Sequence, residues 1–458
     1  MANTLEQFDW KPQPEAARLI GQLLDAFCGR CSAARQLGED LLDQTGTRLT
    51  DWIDHLAVPA DASIGPRLLA AGFAPEESSS PMIWHHADGM FPEIKIDDVP
   101  VWRAAVKVDS VADFLTAHRV SNESSIEGSP LGQFRKARIA CDKDAELWVV
   151  ERHGYRGWEA PEMAPNQLEA VQFHQESFRR RKRNIGDCQA GFEHALQLIR
   201  PAVRELGAAW ACDLFSAAER DYWTNRNRAA RVQKARQDAL GLGWANHDHH
   251  TYRSSRKCFA TLVSVLEELG FRCRERFYAG REAGWGAQVL EQPEAAVVVF
   301  ADVDLASDEV SGDFAHTPLP PSDHLGTVGL WCRLHGEAFL QAGMHHLECQ
   351  FDFSAAREQL QTQGIRTMPP FTDLPYLKQA FTEGEIWSVD ANNITAALAD
   401  GAITKEQAER FRTSGVIGSH LEILQRNEGY KGFNKSGINE IIRDTDPRRQ
   451  KSAEIRGG

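Results

Sequence analysis

Leu421-Glu422-Ile423-Leu424-Gln425-Arg426-Asn427-Glu428-Gly429-Tyr430-Lys431-Gly432-Phe433 is a strand-like run that ends in a Gln-Arg pair and a Gly-aromatic turn. Nearly the same order stands much earlier, in Leu147-Trp148-Val149-Val150-Glu151-Arg152-His153-Gly154-Tyr155-Arg156-Gly157-Trp158, with one residue fewer. A second pair of matching stretches, Asp54-His55-Leu56 and Asp248-His249-His250, opens a strand-like run in each half, and a helical run follows both. Recurrence of one element order at two places in a chain is the mark of a duplicated module.

The elements around these stretches repeat in order. Pro14 to about Gln44 reads as amphipathic helix, with Leu19, Ile20, Leu23, Leu24 and Phe27 at helical spacing. Trp52 to Val58 reads as a strand, and Ile64 to Ala71 as a helix closed by Gly72. Strand-like runs follow near Ile94, at Trp102 to Val108, Phe134 to Ala140 and Leu147 to Glu151. In the second half, Asn246 to Arg253 reads as a strand, and Cys258 to Leu269 as a helix closed by Gly270. Strands follow at Cys273 to Tyr278, Gly286 to Leu290 and Ala296 to Val303. A further strand and helix start at His346 and run through Ala355 to Thr362, and Leu421 to Gln425 is the last strand. Between the halves, Asn166 to about Leu242 is charged and helical. It includes Phe178-Arg179-Arg180-Arg181-Lys182-Arg183, for which a solvated helix face is favoured over an anion site, because the chain as a whole is acidic.

A chain of 458 residues is too long for one ordinary domain. Its formal net charge of -14 argues against general affinity for nucleic acid or anionic lipid. No apolar run approaches the ~20 residues that span a bilayer. The first ten residues, Met1 to Trp10, lack the basic start and apolar core of a secretion signal. Nine cysteines, an odd and scattered set, fit reduced thiols in the cytoplasm. Cys28-Gly29-Arg30-Cys31 has no second pair to complete a zinc site.

Three strands open or carry metal-type ligands. Side chains alternate along a strand, so His247, His249, Thr251 and Arg253 are expected on one face, and Asp248, His250 and Tyr252 on the other. His346 shares a face with Glu348, and His420, Glu422, Leu424 and Arg426 share another. If these faces line one cavity, His249, His346 and Glu422 converge there, with His247, His345 and Glu348 as the alternatives. Two neutral imidazoles and one carboxylate on separate strands form the facial set of non-haem Fe(II) oxygenases, with coordination positions left open. In the first half His55 is kept, but Trp148 stands where Glu422 stands, so that half is expected to hold no metal.

These residues give the chain a resemblance to the vicinal oxygen chelate superfamily, and within it to 4-hydroxyphenylpyruvate dioxygenase and the 2-oxoadipate dioxygenase/decarboxylase group. Asp248-His249 resembles the first ligand strand. Met344-His345-His346-Leu347, with Phe351-Asp352-Phe353 and the helix to Gly364, resembles the second. Leu421 to Phe433 resembles the third. Leu377-Lys378-Gln379 and the spacing from His249 to Arg253 are closer to the oxoadipate group. After Phe433 the family's Gly-Asn-Phe is replaced by Asn434-Lys435-Ser436-Gly437. The likeness covers most of Asn246 to Asp446.

The resemblance implies an α+β fold of paired βαβββ modules. Residues 1–165 would form a metal-free first module, 166–242 a helical linker or insert, and 243–458 the catalytic module. It implies Fe(II) as cofactor, and a small-molecule 2-oxo acid (an arylpyruvate or a 2-oxoadipate-like acid) and dioxygen as partners. No nucleic acid or membrane partner is expected, and a homo-oligomer is left open. Arg253 is the foremost candidate to hold the far end of the substrate, ~13 Å along the strand from His249 at ~3.3 Å per residue. Arg426, Lys378 and Gln379 come next, and His420 is placed to donate to substrate or to pack. Pro369 to Pro375 and Gly432 to Gly437 are the expected covers of the site. Other readings of the same fold are an extradiol dioxygenase, an isomerase, or a non-catalytic small-molecule-binding protein.

Overall fold

The structure, a computed structural model, describes residues 9–76, 82–120, 126–322, 324–434 and 445–449. Two mixed sheets carry the fold. The first holds β1 (Ile53–Pro59), β2 (Ala74–Pro75), β3 (Met82–His85), β4 (Glu93–Asp97), β5 (Trp102–Lys107), β6 (Phe134–Asp142) and β7 (Ala145–Arg152), in the order β2-β3-β4-β1-β5-β7-β6. Its helices are α1 (Pro14–Cys28), α2 (Ser32–Thr45), α3 (Ile64–Ala70) and α4 (Val111–Ala117). The helix expected from Pro14 to Gln44 is therefore two helices. Cys31 is buried in extended backbone at the start of α2, so the chain leaves the helical path at Gly29-Arg30-Cys31 and begins again. Burial raises the pKa of both the Cys28 and Cys31 thiols.

Four helices follow: α5 (Pro165–Arg179), α6 (Cys188–Leu206), α7 (Ala208–Asn225) and α8 (Arg228–Asp238). The second sheet holds β8 (His247–Arg253), β9 (Arg272–Tyr278), β10 (Trp285–Gln292), β11 (Val297–Asp304), β12 (His346–Gln350), β13 (Thr372–Leu374), β14 (Leu377–Phe381), β15 (Glu385–Trp387) and β16 (Val416–Arg426). The order is β13-β14-β16-β12-β8-β11-β10-β9, with β15 added against β16. Helices α9 (Phe259–Glu268), α10 (Thr327–His335), α11 (Phe353–Thr362), α12 (Ala391–Ala399) and α13 (Lys405–Ser414) lie between the strands. Among the described residues no helix is long and apolar enough to cross a membrane.

Each sheet is a pair of βαβββ units whose first strands meet at the centre. In the second sheet β8 and β12 are antiparallel, and each is flanked by the last strand of its own unit in parallel, β11 and β16. In the first sheet β1 and β5 are antiparallel, flanked in parallel by β4 and β7. There an isolated bridge between Glu127 and Lys136 stands in the place of one strand of the second unit. Both central pairs also slip by one residue at the same place, at Ile53/His55 and at His247/His249. The paired βαβββ architecture expected from the sequence is present twice.

The matched turns repeat atom by atom. Arg426 donates through Nε and Nη2 to both carboxylate oxygens of Asp248, each at 2.9 Å, and through Nη1 to the carbonyls of Tyr430 and Gly432. Arg152 donates likewise to Asp54, at 2.8 and 3.0 Å, and to the carbonyls of Tyr155 and Gly157. The turn glycines Gly154 and Gly429 both have φ of 60°, where a side chain is disfavoured.

The helices α5 to α8 share one apolar core with the second sheet, where Phe192 and Phe215 stack on Phe339 and Phe178 packs against Phe215. The basic run 178–183 is a solvated face only in part: Arg179, Arg180 and Lys182 are exposed, as expected. Arg181 and Arg183 are buried and both donate to Glu219, at 2.8 and 2.6 Å, because the segment turns inward after α5. Two buried guanidinium groups against one carboxylate need that pairing to be tolerated at all. Cys188 and Cys258 are joined as a disulfide between the start of α6 and the turn before α9, which departs from the expectation of reduced thiols throughout.

Candidate metal centre

The slip between β8 and β12 decides which side chains reach the cavity of the second sheet. His249, Thr251 and Arg253 line it. His247 does not: its ring lies 5.4 Å from that of His250, and its Nδ1 meets the Trp244 carbonyl at 2.9 Å. Strict alternation had placed His247 with His249, and the bulge removes it, as bulges re-aim side chains next to functional sites. Tyr252 faces the helical layer, with its hydroxyl 3.5 Å from Glu219.

On β12 and β16 the register sets Glu348 directly opposite both His249 and Glu422, while His346 is opposite Thr251 and His420. His249, His346, Glu348 and Glu422 are all buried, and each offers a ligand atom within 4.8 Å of the other three. His249 Nε2 is 2.8 Å from Glu348 Oε2, and His346 Nε2 is 3.1 Å from Glu422 Oε2. Ligands bound at ~2.1 Å and at right angles to each other are separated by ~3.0 Å, so these spacings suit donors gathered around one cation. Beyond that contact with His249, neither oxygen of Glu348 has a hydrogen-bond partner outside the cluster among the described residues. A buried carboxylate in that condition is costly unless a positive charge joins it. The donor set thus fits a divalent metal.

The surroundings orient these donors. His249 Nδ1 lies 3.3 Å from Asp248 Oδ1, which turns Nε2 toward the cluster. Asp248 is itself clamped by Arg426, and although burial opposes its charge, that arginine holds its carboxyl well below the usual range. Gln379 Nε2 donates to Glu422 Oε1 at 3.0 Å, and Thr372 donates to Gln379 Oε1 at 2.9 Å, which leaves Oε2 of Glu422 toward the cluster. His346 meets His345, Nδ1 to Nδ1, at 3.0 Å. Burial opposes protonation of His249, but the Glu348 and Asp248 carboxylates outweigh it and lift the imidazole to about 9. Burial and the neighbouring His249 push His346 well below its ordinary value. Burial and the Glu348 charge push Glu422 well above its own.

The cavity measures about 70 Å³. Phe277, Trp285, Phe300, Phe371, Phe381 and Phe433 give it apolar walls, and Phe433 sits edge-on to His249 at 5.5 Å. Phe371 belongs to the first expected cover, Pro369 to Pro375. Of the second, residues 435–437 lie outside the described residues. A larger cleft of 1210 Å³ lies against Asp304 and Arg448. Of its four arginines, Arg256 and Arg448 are paired with Glu309 and Asp446.

The other candidate residues divide. Arg253 lines the cavity, 2% exposed, with Nε and Nη1 unpartnered among the described residues and the Trp331 ring 5.8 Å from its guanidinium carbon. Gln379 lines it and holds Glu422. Lys378 falls on the opposite face of β14 by strand alternation, away from the cavity. Arg426 is consumed by Asp248 and the turn carbonyls, so it positions His249 rather than meeting a ligand. His420 is buried beside the cavity, bonded through Nδ1 to the Thr382 carbonyl at 2.8 Å and stacked on Phe381.

One wall residue escaped the sequence reading. Asp302 stands opposite Arg253 in register on β11 and lines the cavity, with no ion pair between the two. Burial pushes its carboxyl up to about 7, against the pull of Arg253. A charged residue inside the apolar run Ala295 to Val303 was the available signal. In the first sheet the same register puts His55, Arg103, Ala105 and Trp148 in the places of His249, His346, Glu348 and Glu422. There Arg103 and Trp148 both bond Glu146, at 2.8 and 3.0 Å.

No protein-family model and no curated protein matches the chain. Solved structures do. A mutant of 4-hydroxymandelate synthase from Streptomyces coelicolor aligns over 88% of this chain and 98% of its own, at 11% identity and a TM-score of 0.29. Methylmalonyl-CoA epimerase from Mycobacterium tuberculosis aligns over 40% of this chain and 88% of its own, at 12% identity and a TM-score of 0.23. An uncharacterized protein from Shigella flexneri aligns over 62% of this chain and 85% of its own, at 12% identity and a TM-score of 0.24.

Proposed function

We propose that the second module is a non-haem Fe(II)-dependent dioxygenase that oxidatively decarboxylates a 2-oxo acid, with His249, His346 and Glu422 as the ligands of the metal. The observation that carries this reading is the buried convergence of two imidazoles with two carboxylates, Glu422 among them, in a cavity whose wall also holds an unpartnered arginine. Two histidines and one carboxylate with open positions beside them are the donor set of non-haem Fe(II) oxygenases. Fe(II) held there supplies electrons and coordination positions for a chelating 2-oxo acid and dioxygen. In the overall reaction the bond between C1 and C2 of the 2-oxo acid breaks and C1 leaves as carbon dioxide. One atom of dioxygen enters the new carboxylate, and the other enters the remaining fragment as a hydroxyl group.

The protein's part is placement. Asp248, fixed by Arg426, keeps the His249 ring aimed at the centre, and Gln379 does the same for Glu422. Arg253 offers two free donors to an anionic group at the far end of the substrate, where a buried charge needs a partner. The phenylalanine walls keep water from the reacting atoms. The test is oxygen uptake by the Fe(II)-loaded protein over a panel of aromatic and dicarboxylic 2-oxo acids, with products identified. One carbon dioxide per dioxygen with at least one acid is expected. Retained iron with no uptake across the panel would overturn the reading.

A further inference from the structure

We infer that Glu348 is a fourth protein ligand of the same centre, so that the metal is held by two imidazoles and two carboxylates. This rests on the metal-binding part of the proposed function and not on its dioxygenase part. Register is the first reason. His249, Glu348 and Glu422 form one row across three adjacent strands, β8, β12 and β16, and Glu348 is the middle member. His346 is displaced from that row by two residues along β12. A cation that touches both ends of the row and His346 lies over Glu348.

Satisfaction is the second reason. Glu348 is 0% exposed and meets His249 Nε2, itself a proposed ligand, while no donor outside the cluster bonds it among the described residues, whereas Glu422 is held by Gln379. A structural carboxylate buried this deeply is normally bonded on several sides. Its Oε2 is 2.8 Å from His249 Nε2, the spacing of two donors that share a cation. Charge is the third reason. Two carboxylates balance a dication, whereas a three-ligand set would leave the Glu348 charge unpaired beside Glu422.

The test uses Co(II), whose visible absorption reports the number and type of ligands. The metal-free full chain is titrated with Co(II) as wild type, Glu348→Gln and Glu348→Asp, with folding checked by circular dichroism. The expected result is an affinity at least ~10-fold weaker for Glu348→Gln, with a changed Co(II) spectrum. Should that variant not fold, Glu348→Asp, one methylene shorter, is expected to show the weaker binding and altered spectrum. Unchanged affinity and spectrum in a folded variant, with tight binding by wild type, would overturn the fourth ligand and leave the three-ligand centre standing. A wild type that binds no Co(II) and no Fe(II) would overturn both.

Discussion

Arg253 and Asp248 carry the sharpest consequences at the scale of single residues. Arg253 ends in free donors at the cavity wall, so Arg253→Met, which keeps length and removes charge, is expected to raise KM and lower kcat/KM while metal content stays at the wild-type level. Loss of thermal stability with unchanged kinetics would instead make it a packing residue. Asp248 acts through His249, so Asp248→Asn is expected to weaken metal binding by roughly 10–100-fold with the fold retained, as measured by competition with a chelator. Much of this site was legible in the chain, because Asp248-His249, His346 and Glu422 stand at strand starts or on strand faces where alternation reads direction. Three placements were not. The bulge after His247 breaks alternation and cannot be seen in the residues themselves. The row position of Glu348 depends on pairing with two other strands. Arg426 reads as a free cation until its partner, Asp248, a long way back in the sequence, is brought beside it.

Among elements, the junction between the first sheet and α7 turns on one histidine. His153 lies between Asp213, 2.8 Å from Nδ1, and Glu151, 3.0 Å from Nε2. Burial works against its charge, but the two carboxylates prevail and raise it to about 10. A group whose folded value is raised binds a proton more tightly when folded. Its contribution is therefore complete below its unfolded value, ~6.5, and is lost as pH climbs through about 10. The urea midpoint of the wild type is expected to fall between pH 7 and 10 more steeply than that of His153→Gln. Equal slopes would mean that the bridge contributes nothing. The sequence marked Asn166 to about Leu242, where α5 to α8 lie, as charged and helical. It did not mark them as part of the second module's core, since the aromatic contacts of Phe192 and Phe215 with Phe339 join residues far apart in the chain. The same distance hid Glu219, whose pairing with Arg181 and Arg183 buries two members of a basic run whose other cations stay exposed. Strands β13 to β15 and helices α10, α12 and α13 also went unread. The three strands are three to five residues long, too short for a period to declare itself.

At the scale of the whole molecule, one repeated arrangement serves two ends. Both sheets keep the Asp-Arg clamp, the glycine turn and the strand slip, so the duplicated backbone is preserved down to its hydrogen bonds. What differs is the row of side chains over the central strands. In the first sheet, Arg103 and Trp148 gather around Glu146 where the second sheet has His346 and Glu422, and Ala105 stands for Glu348. A cation already fills that place in the first module, and a metal is expected only in the second. The direct test is to titrate the metal-free full chain with Fe(II) in the absence of oxygen and count the ions bound per chain. One tightly bound ion is predicted for the wild type, and none for His346→Ala with its fold intact. Two ions per chain, or one held undiminished by His346→Ala, would contradict the account.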